Sequence, residues 1–286
     1  MKAHLECLPC LGKNAVDAAV RSTGDAGTQL KIVAESLRLL AENDLAMPPP
    51  YTARKLLDIA YGHTGSADIY RAEKRRSNRL AERLAAGLRQ LPEYDPGSFE
   101  SNLRLAVAGN ILDFGIFGDL DIEAALGTVK SVMREPLDTA AVGRLHRRME
   151  AAKKILYILD NCGEAVFDRI FLTPYRDKVT LVVRGRPAFN DVTAADLADC
   201  GLADFASRVI DNGPEGIPGV IPGCCGEALE AALADSDLVI AKGQGNFETL
   251  SDSTAPVAFL FLAKCRVVAR ELGVALNSIQ VLTKNF

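Results

Sequence analysis

The chain has 286 residues, 48% of them apolar, and a formal charge of −4. That length allows one large domain or two ordinary ones with a sizeable core. The acidic balance argues against a nucleic-acid binder, and no window approaches the roughly 18 apolar residues of a membrane span. Seven cysteines, an odd and unevenly spread set, and an N-terminus with no apolar run after Met1-Lys2-Ala3-His4-Leu5-Glu6 predict a reduced, cytoplasmic protein.

Residues 1–150 read as helical, because apolar positions recur every three or four residues. Helices are predicted over Leu5–Arg21, Gln29–Asn43, Tyr51–Tyr61, Ala67–Leu91, Phe99–Leu112 and Leu137–Ala152, with a break at Pro48-Pro49-Pro50. The basic cluster Arg71, Lys74, Arg75, Arg76 and Arg79 is interrupted by Glu73 and Glu82, which fits a solvated helix face. Near the N-terminus, Cys7-x-x-Cys10 presents two thiols at i, i+3. They could bind a metal, form a redox couple or serve structure alone; with no second such pair, zinc has little support. His4, His63 and His146 show no ligand spacing. In the apolar stretch before Gly115, Asn110 and Asp113 share a helix face. They are either a buried contact with a site or caps of a helix end.

From residue 151 the period changes. Strand-length apolar runs at Ile155–Leu159, Val179–Val183, Arg208–Ile210, Leu238–Ile240, Val257–Leu262 and Ile279–Leu282 alternate with helical stretches. The helical stretches lie near Glu164–Leu172, Ala194–Asp199, Glu227–Leu233 and Lys264–Leu272. This is the pattern of an α/β chain with a parallel sheet and crossover helices. In such sheets ligands sit at the carboxyl ends of the strands.

Three predicted strand ends carry polar clusters. After the first, Asp160-Asn161 supplies hard oxygen ligands of the kind Mg²⁺ or Mn²⁺ prefers, or else caps the following helix. After the second come Arg184, Arg186 and Asn190-Asp191; an arginine could fork onto a phosphate, and Asp191 is either a second carboxylate ligand or an N-cap. The fourth run leads into Lys242-Gly243-Gln244-Gly245-Asn246-Phe247-Glu248. Gly243 and Gly245 let backbone N–H groups approach an anion, and Lys242 adds a point charge. Two carboxylates, an Asn, a Lys and an Arg at one crevice would be costly without a cation and an anionic ligand. The pattern points to metal-assisted chemistry on a phosphate. Asp211-Asn212-Gly213 and Pro218-Gly219 suggest a loop over the same edge.

These residues resemble the metal-dependent damage-control phosphatases, over nearly the whole chain. The matching motifs are Cys7-x-x-Cys10, Asp68-x-Tyr70-x-x-x-Lys74-x-x-x-Asn78, Gly109-Asn110-x-x-Asp113, Asp160-Asn161-x-Gly163-Glu164, the stretch Val183 to Thr193, Lys242 to Glu248, and Lys264-Cys265. The Cys pair is similar to that of the prokaryotic branch. Cys224-Cys225 stand where a small or hydroxyl residue is expected. The resemblance implies a helical domain over 1–150 and a Rossmann-like domain over 151–286. It implies a divalent metal (Mn²⁺, Ni²⁺, Co²⁺ or Mg²⁺) on Asp160, Asn161 and Asp191, and hydrolysis of small phosphorylated metabolites such as sugar phosphates or damaged phosphoesters. On this reading Lys242 and the backbone of Gly243, Gly245 and Asn246 stabilise the phosphate oxygens. Arg184 or Arg186 positions the phosphate, and Asn110 and Asp113 contact the organic part. The competing expectations are a methyltransferase using S-adenosylmethionine and a non-catalytic metabolite or metal sensor. The first lacks a glycine-rich loop after the first strand.

Overall fold

Amphipathic spacing builds the first half of the chain. A computed structural model describes residues 1–88, 90–111 and 122–286. Within them lie α1 (Cys7–Ser22), α2 (Ala26–Ala41), α3 (Pro49–Thr64), α4 (Arg71–Leu88), α5 (Phe99–Ile111), α6 (Ile122–Arg134) and α7 (Thr139–Ala151). Leu11, Ala15, Ala18 and Ala19 form the buried stripe of α1. The proline break predicted near residue 48 is where α3 starts: Pro49 and Pro50 occupy its first turn, where a missing N–H costs nothing. Asp25 and Asp138 cap α2 and α7 by accepting backbone N–H bonds. Helix α6 was not among the expected elements, although Leu126, Val129, Val132 and Met133 carry its spacing.

The second half supplies β1 (Ile155–Ile158), α8 (Glu164–Leu172), β2 (Val179–Val183), β3 (Arg208–Asp211), α9 (Glu227–Asp235), β4 (Leu238–Lys242), α10 (Gly243–Leu250), β5 (Val257–Leu262), α11 (Arg266–Leu272) and β6 (Ile279–Lys284). The helix predicted at Ala194–Asp199 is a single 3₁₀ turn at Ala194–Asp196. The sheet order is β3-β2-β1-β4-β5-β6. The first five strands are parallel, whereas β6 runs antiparallel to β5. The last strand thus closes the sheet as an antiparallel edge next to β5.

Side chains alternate across the sheet. Ile155, Tyr157 and Leu159 face a core shared with Leu103, Ala106 and Val107 of α5 and Leu145 and Met149 of α7. Leu156 and Ile158 face the other side, with Leu229, Phe247, Leu250, Phe259 and Val268. One face of the sheet is therefore covered by helices from the first half of the chain. No described helix is long and apolar enough to cross a membrane.

Candidate active site

The strand order reverses between β1 and β4, which opens a crevice at their carboxyl ends. Asp160 follows β1 and Gly243 follows β4. Gly243 has φ +78°, and a Cβ there would lie 1.9 Å from Asp160 Oδ2. Only glycine permits both the backbone conformation and this approach of α10 to the carboxylate.

The segment after β2 folds back onto the turn after β1. Arg184 N donates to Val192 O, Val192 N to Asp160 O and Cys162 N to Asn190 O, each at 2.8 Å. Asn161 and Asp191 thereby face each other across a single antiparallel bridge. Phe189 takes a left-handed conformation (φ 48°), unusual for a residue with a large side chain, and sets its ring edge-on to Tyr70 at 5.8 Å.

Arg184 lies between the two acids, with 1% of its side chain exposed. Its Nε donates to Asp191 Oδ2 at 2.6 Å, its Nη1 to Asn246 Oδ1 at 3.2 Å, and its Nη2 is 3.6 Å from Asp160 Oδ1. Asn161 Nδ2 donates to Asp160 Oδ2 at 2.8 Å. Burial pushes the Asp160 carboxyl well above the usual range, and Asp191 and Glu164 push it further against Arg184 and Lys264. Burial also raises Asp191, opposed by the charge and hydrogen bond of Arg184.

The donors at this point are two carboxylates and an amide, a hard-oxygen set that fits a divalent cation of the Mg²⁺ or Mn²⁺ type. A cation bound there would favour the ionised form of both acids against the burial that holds them above their ordinary range. Among the described residues no three His, Cys, Asp or Glu side chains close on one point.

Lys242 lies elsewhere than its motif suggested. It ends β4 on the face of Leu238 and Ile240, so it points toward α5 and α8. Its ammonium is 2.6 Å from Glu164 Oε1, donates to Asp168 Oδ1, and donates to Ala106 O at 2.9 Å. Tyr157 OH donates to the same Asp168 oxygen at 2.7 Å. Burial works against the ammonium, but Asp168 and Glu164 outweigh it and keep Lys242 charged. Burial lifts Asp168 to about 7. Lys242 is thus spent inside the protein, fully buried, and not on the crevice wall.

The other expected phosphate contacts divide. Gly245 lines the crevice, backed by Pro218 O at 2.6 Å from where its Cβ would be. Asn246 is buried, and its amide donates to Lys242 O at 2.6 Å and Leu159 O at 3.3 Å, tying together the ends of β1 and β4. Arg186 turns to α3 and donates to Asp58 Oδ1 at 2.8 Å. The side chain of Asn110 and the whole of Asp113 lie outside the described residues. Asn78 and Lys74 act as braces. Asn78 Oδ1 accepts from Gly163 N at 2.6 Å, fixing the turn that presents Asp160, and Lys74 pairs with Asp68 and Asp196.

The crevice has a volume of about 960 Å³, and α1 forms one wall with Cys7, Cys10, Asn14, Asp17 and Arg21. Tyr70 OH donates to Asp17 Oδ2 at 3.0 Å, and the Arg21 guanidinium lies 4.9 Å over the Tyr70 ring. Lys264, just beyond β5, is an exposed cation on the wall whose charge reaches Asp160. Motif reading gave it no role; its position two residues past a central strand end was the available signal.

The damage-control phosphatase ARMT1-like domain matches residues 3–279. A damage-control phosphatase of Archaeoglobus fulgidus is 32% identical over 283 residues, covering 96% of each chain. A damage-control phosphatase of Pyrococcus horikoshii is 31% identical, covering 100% of this chain and 99% of its own length. The crystal structure of a DUF89 family protein from P. horikoshii matches with a TM-score of 0.89 at 29% identity, covering 99% of both chains. Matches of this breadth support a phosphatase role over a methyltransferase or a sensor, and they show that the chain belongs to the damage-control phosphatase family.

Proposed function

We propose that this protein hydrolyses small phosphomonoesters, sugar phosphates or damaged phosphometabolites, with a divalent metal held by Asp160, Asn161 and Asp191. The observation that carries the reading is the convergence of two buried acids, an amide and Arg184 where the strand order reverses. A divalent metal held by these three residues would supply Lewis acidity to a phosphate ester and to water.

Arg184 holds Asp191 by its Nε and leaves Nη2 between the two acids, which fixes their separation. Asn161 hydrogen-bonds Asp160 and sets the rotation of that carboxylate. Lys264, rather than Lys242, is a cation of the wall near Asp160 and able to meet the charge on a phosphoryl group. Lys242 compensates Glu164 and Asp168 beneath the site and keeps α8 and the turn before it in place. The crevice volume suits a ligand the size of a phosphorylated sugar or somewhat larger.

The test is release of p-nitrophenol from its phosphate ester by chelator-stripped protein, with Mg²⁺, Mn²⁺, Co²⁺ or Ni²⁺ restored singly. Metal-dependent turnover that disappears in Asp191→Asn supports the assignment. Full turnover without metal, or in that variant, overturns it.

A further inference from the structure

Six large apolar side chains stand exposed among the described residues, and five of them lie on one helical hairpin. Leu5 precedes α1, Val16 and Val20 lie on α1, and Leu30 and Leu37 lie on α2, each between 47% and 71% exposed. The two helices are joined by residues 23–25, with Gly12 against Leu40. One side of the hairpin is already covered: Leu11, Ala15, Ile32 and Leu40 pack on Leu56 and Leu57 of α3.

The open side carries a second apolar stripe. In α1 it runs through Pro9, Gly12, Val16 and Val20. In α2 it runs through Ala26, Leu30, Val33, Leu37 and Ala41. Steps of three and four residues keep each set on one face, and neither set contains a charged residue. A helix at a true surface turns polar residues outward. Two apolar stripes per helix suit a hairpin packed on both sides, as in a four-helix bundle.

The charges beside the stripe indicate what covers it. Lys31, Glu35, Arg38 and Glu42, all exposed, alternate in sign along the flank of α2. Reversed, that order places a cation wherever an anion stood. Two copies of α2 set antiparallel about a two-fold axis therefore oppose Lys31 to the partner's Glu42 and Glu35 to the partner's Arg38, and symmetry repeats both pairs. Parallel copies would oppose like charges. The hairpin face is ~24 Å long and ~20 Å wide, and with its side chains standing out it approaches the ~800 Å² that each partner gives to a standard interface.

We propose that the outer face of α1 and α2 is a homodimer interface, where two copies close an antiparallel four-helix bundle about a two-fold axis. From a neighbouring side α1 presents Asn14, Asp17 and Arg21 to the crevice, so the bundle braces one wall of each site. The interface stands independently of the phosphatase reading.

The test is sedimentation equilibrium of the full chain over about 1 to 100 μM, the range of a moderate association. The expected mass is twice the 30.7 kDa of one chain. Leu30→Glu and Val20→Glu should each weaken the dimer by about 30-fold or more, the effect of a central interface residue. Both sites are exposed, so the circular dichroism spectrum should not change. Leu276→Glu, at the sixth exposed apolar residue and off the hairpin, should leave the dimer intact. Lys31→Glu and Glu42→Lys should each weaken it, and the two combined should restore it. A wild-type chain that is monomeric throughout overturns the proposal and leaves the stripe to a helix of another protein. So does a dimer unweakened in both Leu30→Glu and Val20→Glu, or a double charge exchange weaker than either single one.

Discussion

Arg184 donates Nε to Asp191 Oδ2 at 2.6 Å with both side chains almost fully enclosed. The pair is therefore part of the fold as well as part of the site. Asp191→Ala leaves a guanidinium buried without its partner, at a cost of about 3–5 kcal/mol. Asp191→Asn retains volume and an acceptor for Nε, so it should destabilise clearly less. Both should lower metal-dependent turnover, by about 100-fold or more if Asp191 is a ligand. Urea unfolding and p-nitrophenyl phosphate hydrolysis on the two variants check this together. Equal destabilisation by Ala and Asn would contradict the pairing argument.

The contact of Gly243 with Asp160 gives a backbone test of the same crevice. Gly243→Ala places a methyl group where Asp160 Oδ2 now sits, and it adds a side chain at φ +78°. The left-handed conformation costs about 1–2 kcal/mol by itself. The larger effect is displacement of Asp160, and a misplacement of about 1 Å at a reacting centre is worth around 100-fold in rate. Gly223, also left-handed but open around its Cβ position, is the control: Gly223→Ala should cost stability alone. Thermal unfolding and turnover measured on both variants separate the two effects.

The six apolar runs are the six strands of the sheet because short apolar stretches between turn residues are a local property, readable without knowing partners. The direction of β6 was not readable that way, since it depends on how the returning chain pairs with β5, a non-local property. The meeting of Asp160 with Asp191 likewise depends on the return of residues 184–193 onto the first turn, a non-local pairing. Lys242 was drawn toward the ligand by its glycine-rich neighbours. Period-two alternation with Leu238 and Ile240, and the spacing of Glu164 and Asp168 on one face of α8, together pointed it into the core instead.

Lys242 and Lys264 should therefore fail in different ways. Lys242→Met removes the charge that compensates two buried carboxyls, and it should cost about 3–5 kcal/mol of stability. Lys264→Ala touches an exposed side chain and should leave the unfolding midpoint within experimental scatter. It should lower kcat/KM for a phosphomonoester by about tenfold to a hundredfold, the scale of one lost charge-stabilising donor. Unfolding curves and steady-state kinetics on both variants decide the matter. A stable Lys242→Met with selectively lost turnover would restore Lys242 to the site.

Glu248 gives the chain a pH-dependent stability. Burial lifts its carboxyl to about 7, against Gln244 and the N-terminal ammonium, which both favour the charged form. An unfolded glutamate ionises near 4.5. Below that pH both states hold the proton and the group takes nothing from stability. Between about 4.5 and 7 the unfolded chain releases its proton while the folded protein keeps it, so stability falls as pH rises and levels off above 7. The shift corresponds to roughly 3 kcal/mol at most. Glu248→Gln keeps an acceptor for Gln244 and cannot ionise. In metal-free protein it should reduce the fall in stability across this window, leaving the share that Asp168 contributes, and be the more stable form at pH 8. Urea unfolding of wild type and Glu248→Gln at pH 5 and pH 8 makes the comparison, and an identical pH dependence in the two would rule out Glu248 as the source.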